Sequence, residues 1–212
     1  MPFKNYSVSV ETDIITSDDG KNTFEVTKRL NGIDGENGVI VLLYPTRNCD
    51  NIFSEDNTLN YLVSHMQELH LKELKIINLF SKVVSGKMSS RGLEVDEENM
   101  KYIETLMSDK NFKNTKFIVA WGNSMASSYA CKKSKVNVLN MFKNAVPKGI
   151  VYQLISSDVD LRSQTAPHPL YLGIRGNNSK WSLAELHITK EMLKEPEKYN
   201  PSNNLIKFSK EG

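Results

Sequence analysis

The sequence predicts an α/β protein, a single three-layer domain with a mostly parallel sheet of about four core strands. The chain has 212 residues, which is enough for one large domain and short for two. Short apolar runs, each bounded by polar or turn-forming residues, recur along it as expected for buried strands. These runs occupy residues 39–43, 74–80, 116–121 and 150–155.

Segments with helical spacing separate these four runs. Apolar side chains recur on one face of residues 56–70 and of residues 97–108, and residues 124–144 are also expected to be mostly helical. Strands that alternate with helices are typical of a parallel sheet covered on both faces. The carboxyl ends of such strands are where ligands bind in open α/β sheets.

The two ends of the chain have a different pattern. Residues 6–15 and 23–30 are rich in β-branched side chains and flank a turn, which predicts a β-hairpin within residues 1–31. The core is expected over residues 39–173, and residues 1–180 are expected to form one domain. Residues 181–212 are interpreted as a C-terminal helical appendage, because residues 183–193 have helical spacing.

Composition narrows the class of protein. The chain has 27 basic and 25 acidic residues, so it lacks the basic excess of a strong nucleic-acid binder, although a local basic groove stays possible. No apolar stretch reaches the ~18 residues of a membrane span, and the N-terminus lacks the apolar core of a signal peptide. We expect a cytoplasmic protein without membrane contact.

Metal and cofactor signatures are missing. Cys49 and Cys131 form neither a disulfide framework nor a zinc cluster, and His65 and His70 do not share a tight helical face. Neither common phosphate-binding glycine loop occurs in the sequence. We therefore expect no metal and no cofactor.

Two distant loops are expected to meet at the carboxyl rim of the sheet. The first follows the strand at residues 39–43, and the second contains His168 between two prolines. Asn78 and Phe80, in the last part of the second apolar run, and Asn123, after the third, are further candidates. The resulting candidate residues are Tyr44, Pro45, Arg47, Asn48, Asp50, Asn78, Phe80, Asn123, His168 and Tyr171.

Several short motifs follow one another in a recognisable order. They are Leu43-Tyr44-Pro45-Thr46, Asp56-Asn57-Thr58, Ile77-Asn78-Leu79-Phe80, Val119-Ala120-Trp121-Gly122 and His168-Pro169-Leu170-Tyr171-Leu172. Together they resemble domain-of-unknown-function family 1643. The resemblance covers roughly residues 6–173, and the loop-one asparagine that is typical of this family is replaced here by Tyr44.

A more distant resemblance links the chain to the uracil-DNA glycosylase superfamily. The counterparts are Tyr44-Pro45, Trp121-Gly122-Asn123 and His168-Pro169. This resemblance implies a uracil-DNA glycosylase-like fold more strongly than it implies the same reaction. In that superfamily the first loop positions the attacking water, and the last loop stabilises the departing base.

Cleavage of an N-glycosidic bond needs a group that orients water and a hydrogen-bond donor at the base carbonyl. Asp50 is the candidate for the first catalytic role and His168 for the second. For ligand binding, the candidate stacking rings are Tyr44, Phe80 and Tyr171, the candidate edge-reading amides are Asn78 and Asn123, and the candidate phosphate ligand is Arg47.

Each of these residues also has a structural interpretation. Asp50 suits an Asx-turn, His168 suits a residue that fixes its own loop, and Trp121 suits core packing. Asp56 and Thr58 are interpreted as helix-start residues rather than as site residues.

Three functions remain open at this point. The first is binding of a nucleobase- or nucleotide-like ligand without assured catalysis. The second is an N-glycosidic hydrolase acting on a nucleotide or a nucleic acid, and the third is a protein-interaction or inhibitor module. Whether the protein is an enzyme and what its oligomeric state is are left open.

Overall fold

The computed structural model describes residues 7–46, 56–161, 165–176 and 179–197. These residues form an α/β structure with one sheet. Its strands are β1 (Ser9–Thr16), β2 (Thr23–Asn31), β3 (Glu36–Leu42), β4 (Leu71–Asn78), β5 (Thr115–Val119), β6 (Val151–Ser156) and β7 (Trp181–Glu185). Its helices are α1 (Asn57–His65), α2 (Glu97–Ser108), α3 (Tyr129–Ala145) and α4 (Pro169–Arg175), with 3₁₀ turns at Lys110–Asn114 and Glu191–Leu193.

The sheet has the strand order β1-β2-β4-β3-β5-β6-β7 and is mixed. Strands β4, β3, β5 and β6 are parallel neighbours at its centre, as expected from the alternation of strands and helices. The expected β-hairpin β1–β2 is confirmed, but it joins β4 in antiparallel pairing and extends the same sheet. Strand β7 adds an antiparallel pairing at the other edge. The α/β class is therefore confirmed, whereas a mostly parallel sheet of about four strands is not.

Helices cover both faces of the sheet. Helices α2 and α3 pack on one face around Val41, Val119 and other inward-facing side chains. Helices α1 and α4 pack on the other face around Ile40 and Ile118. Successive residues of β3 and β5 face opposite layers, and residues 38–42 and 117–119 are buried, which explains why these parts of the strands read as apolar runs.

The predicted helix at residues 183–193 is wrong. Trp181–Glu185 is strand β7, and only a 3₁₀ turn at Glu191–Leu193 follows. Trp181 is 2% exposed and stacks on His65 with ring centroids 3.9 Å apart. Backbone pairing with β6 and burial of this indole decide the conformation, because tertiary contacts override a weak local helical period.

Helix α4 differs from the sequence-based expectation of a rim loop around His168. Pro169 occupies the first turn of α4, where a missing backbone N–H costs nothing. His168 is the N-cap, and its Nδ1 accepts the Leu170 N–H at 3.3 Å. The second rim loop therefore contains the start of α4, and the N-cap hydrogen bond fixes the orientation of the His168 ring.

Within the described residues, no helix has the length and apolar character needed to cross a membrane.

Candidate functional site

A cavity of about 380 Å³ lies at the carboxyl ends of the central parallel strands. The segments that follow β3 and β5, the last residue of β4 and the first turns of α1 and α4 enclose it. The described parts of the two rim loops lie at one place, because Tyr44 and Pro45 line the same cavity as His168. This is the place where ligands bind in open α/β sheets.

The first loop is tied to the neighbouring strand exit through its backbone. The Leu43 carbonyl accepts the Phe80 N–H at 3.1 Å, and the Pro45 carbonyl accepts the Val84 N–H at 3.1 Å. These bonds fix the position of Tyr44 and Pro45 at the cavity wall. The candidates Arg47, Asn48 and Asp50 lie outside the described residues.

Asn78, the last residue of β4, also lines the cavity. It is 4% exposed, and its side-chain Oδ1 has no hydrogen-bond partner within the described part of the chain. Its backbone carbonyl is held by the Asn99 side chain, whose Nδ2 donates at 2.7 Å. A buried amide without a partner is costly, so such an atom in a native structure calls for an explanation.

His168 presents a neutral imidazole to the cavity. Burial lowers the pKa of His168 to about 4, against the opposing effect of the negative charge of Asp56. Because Nδ1 accepts the Leu170 N–H, the neutral ring carries its proton on Nε2. At neutral pH this ring nitrogen is a hydrogen-bond donor without a positive charge.

Asp56 is a cavity residue that sequence reasoning assigned only to the helix start. It is the N-cap of α1, and its Oδ1 accepts the Leu59 N–H at 2.8 Å. Its Oδ2 accepts the hydroxyl of Thr46, a residue of the first loop that also lines the cavity. Asp56 therefore joins the first loop to α1. The position of Asp56 in the sequence could have indicated this role, because the N-cap of a helix that directly follows a rim loop also lies at the rim.

The turn after β5 supports His168. Gly122 has φ +66°, and a Cβ built on it would lie 3.2 Å from the His168 Cβ. Its N–H donates to the Ala166 carbonyl at 2.8 Å, and its carbonyl accepts from Lys135 Nζ at 3.1 Å. Trp121, one residue earlier, is 4% exposed and contributes to the cavity wall, so it both packs in the core and lines the site.

The remaining candidates lie elsewhere. Phe80 is 2% exposed and belongs to the core under α2 and α3. Tyr171 packs against the opposite core, with the Arg175 guanidinium 5.8 Å from its ring centroid. Asn123 lines a second, more open hollow beside Lys135. The structure thus brings Tyr44, Pro45, Asn78 and His168 together, and it does not bring Phe80, Tyr171 or Asn123 to the same cavity.

The described residues bear on metal binding and on cysteine reactivity. These residues contain no cluster of three or more histidine, cysteine, aspartate or glutamate side chains that could hold a metal ion. Cys131 is buried, and burial raises the pKa of its thiol, which disfavours the reactive thiolate.

These features define an α/β protein with a cavity at the carboxyl rim of its sheet, whose apolar wall carries a few polar groups. Residues 27–170 match the family described as Protein of unknown function (DUF1643), and the chain belongs to that family. The family resemblance seen in the sequence motifs is therefore confirmed. No curated protein and no solved structure matches the chain significantly, and the resemblance to uracil-DNA glycosylases stays a sequence-based expectation.

Proposed function

We propose that the rim cavity binds a nucleobase- or nucleotide-like ligand. The observation that carries the proposal is Asn78, whose side chain is buried at the cavity while its Oδ1 has no partner among the described residues. An amide in this position is suited to a ligand that supplies the missing hydrogen bond. The heterocyclic edge of a base does so, because it places donors and acceptors side by side in one plane.

The rest of the cavity wall complements such a ring. The Nε2–H of His168 is a neutral donor for a carbonyl oxygen, and the side chains of Tyr44 and Trp121 supply aromatic surface. The cavity volume of about 380 Å³ falls within the ~300–1,000 Å³ typical of small-molecule sites. Apolar walls with a few polar groups are also the usual composition of such sites.

A second candidate is cleavage of an N-glycosidic bond in the same cavity. The neutral Nε2–H of His168 favours it, because negative charge develops on the departing base and a donor there stabilises it. The distant glycosylase resemblance leads to the same expectation. The water-orienting role expected for Asp50 falls outside the described residues.

Thermal unfolding with a panel of free bases, nucleosides and nucleoside monophosphates tests the binding proposal. A ligand at about 100 times its Kd stabilises the folded protein by about 2.7 kcal/mol, which raises Tm by several degrees in a chain of this size. We expect Asn78→Ala to abolish that shift. Asn37→Ala is the matched control, because Asn37 also has a buried Oδ1 without a described partner but lies at the opposite end of β3.

Absence of a shift with every member of the panel contradicts the proposal. Loss of the shift in Asn37→Ala as well as in Asn78→Ala would attribute the effect to the fold rather than to the cavity. Chromatography of the same incubations tests the second candidate. Released base that disappears in His168→Asn supports cleavage, and intact nucleosides and nucleotides after long incubation contradict it.

A further inference from the structure

The charge of the cavity wall restricts the part of the ligand that enters it. Among the described residues that line the cavity, Asp56 carries the one charged side chain at neutral pH. His168 is neutral there, since its ring takes up a proton only near pH 4. No lysine or arginine belongs to this described wall. The described part of the wall therefore has a net negative charge.

The start of α1 does not reverse this charge. A helix N-terminus attracts anions through its free N–H groups and its dipole, and α1 begins at the cavity. Here the Asp56 carboxylate already occupies that position, with Oδ1 on the Leu59 N–H. Its other oxygen is held by Thr46, so the carboxylate is fixed in place at the wall.

From these observations we infer that the cavity takes an uncharged base or nucleoside and excludes phosphate. This inference rests on the proposed function and names the ligand class of the same site. A phosphate inside the cavity would meet the fixed carboxylate of Asp56 in a partly desolvated space, where repulsion between like charges is stronger than in water. It would also leave the Asn78 Oδ1 unsatisfied, because an ionised phosphate oxygen accepts hydrogen bonds and donates none.

The experiment compares the Kd of each nucleoside with that of its 5′-monophosphate by isothermal titration calorimetry at pH 7. For the unmodified protein, we expect the nucleoside to bind about tenfold or more tightly than its monophosphate. Asp56→Asn removes the charge and keeps a residue that caps helices equally well. In this variant we expect the ratio of the two Kd values to fall to about threefold or less.

Asp96→Asn is the matched control. Asp96 caps α2 in the same way, with Oδ1 on the Asn99 N–H at 3.1 Å and Oδ2 on the Ser81 hydroxyl at 2.7 Å, but it does not line the cavity. We expect this variant to retain the nucleoside preference of the unmodified protein. A similar loss of preference in both variants would show that helix capping, and not charge at the cavity, sets the ratio, and would overturn the inference.

The remaining outcomes separate this inference from the proposed function. A monophosphate that binds as tightly as its nucleoside, or more tightly, overturns the inference and leaves nucleobase binding in place. A preference for the nucleoside that persists unchanged in Asp56→Asn also overturns it. If no base, nucleoside or monophosphate binds, the proposed function fails and the inference fails with it.

Discussion

Two buried polar regions of this protein differ in how completely their groups are paired. In the first, Glu25 of β2 is 3% exposed, and three side chains satisfy its carboxylate. Thr27 and Lys75 donate to Oε1 at 2.6 and 2.9 Å, and Tyr102 donates to Oε2 at 2.9 Å. In the second, the rim cavity, Asn78 keeps an Oδ1 without a described partner.

The difference separates a structural polar network from a binding site. In the Glu25 network, burial and the neighbouring carboxylate raise the pKa of Tyr102, so its hydroxyl stays protonated and continues to donate. Every group there has its partner inside the protein, and a fully paired network contributes to a unique fold. At the cavity, the Asn78 Oδ1 lacks such a partner among the described residues, which is the arrangement expected where a ligand completes the hydrogen bonds. Substitutions in the two regions should therefore affect different measurements.

The largest effect on stability is expected for Lys75→Met in the Glu25 network. The substitution leaves a carboxylate that is almost fully buried without its counter-charge, so the free energy of unfolding should fall by about 3–5 kcal/mol. Chemical denaturation measures the loss. Lys116→Met is the control, because Lys116 pairs at 2.8 Å with Glu36, whose side chain is 57% exposed, and should cost within about 1 kcal/mol. Equal losses in the two variants would contradict the structural role of the Glu25 network.

The next effect is a pH dependence that arises in the cavity. The pKa of His168 is about 4 in the folded protein and 6.5 in its ordinary state. Above pH 6.5 the ring is neutral in both the folded and the unfolded chain. As the pH falls from 6.5 to 4, only the unfolded chain gains the proton, so the folded protein loses stability, by about 3 kcal/mol in all. Below pH 4 this loss does not grow further.

His168→Asn separates this contribution from that of the acidic residues. Asparagine keeps an N-cap for α4 and does not titrate, so the variant should lose less stability between pH 6.5 and 4 than the unmodified protein. Denaturation midpoints measured at several pH values make the comparison. His65→Asn is the control, because His65 lies at the C-terminal end of α1, away from the cavity. This variant should keep the loss of stability between pH 6.5 and 4 that is attributed to His168. Parallel profiles for the unmodified protein and His168→Asn would show that His168 is not buried as described.

The parts of the fold that could be predicted from the sequence are those set by local pattern. The four central strands contain short apolar runs, and the hairpin strands are rich in β-branched residues around a turn, so neighbouring residues alone indicate them. Strand β7 depends instead on its pairing with β6 and on the burial of Trp181 against α1. Those partners are distant in sequence, and a weak helical period in the same segment led to the wrong expectation.

The location of the candidate site at the rim of the sheet could be predicted from the sequence, but which side chains face the cavity could not. Tyr44 and Asn78 follow directly from strand ends, and both line the cavity. Phe80 is also expected at the rim, as a candidate stacking ring. The strand ends at Asn78 and the chain bends at Leu79, so Phe80 faces the core of the other layer. A bend of this kind depends on the Leu43 carbonyl that receives the Phe80 N–H, which no local pattern reveals.

Gly122→Ala should have an intermediate effect, because it combines backbone strain with displacement of His168. An alanine at φ +66° costs about 1 kcal/mol, and its Cβ would also crowd the His168 Cβ. Gly92→Ala carries nearly the same strain, at φ +69°, in open space. We expect a loss about 1 kcal/mol greater in Gly122→Ala than in Gly92→Ala, together with weaker ligand binding in Gly122→Ala alone. Identical losses and unchanged binding would remove the proposed contact with His168.

The smallest effect on stability is expected at the residue that matters most for binding. Asn78→Ala removes an amide that makes no side-chain hydrogen bond to any described residue, so the free energy of unfolding should change by less than about 1 kcal/mol. Asn99→Ala is the contrast, since Asn99 is fully buried and its Nδ2 donates to the Asn78 carbonyl. Its loss should cost about 1–3 kcal/mol, because that carbonyl would then lack its donor. Denaturation curves of the two variants measure the difference directly.

If Asn78→Ala were the more destabilising of the two, the Asn78 amide would be part of a structural network like that of Glu25, and the contrast between the two regions would not hold.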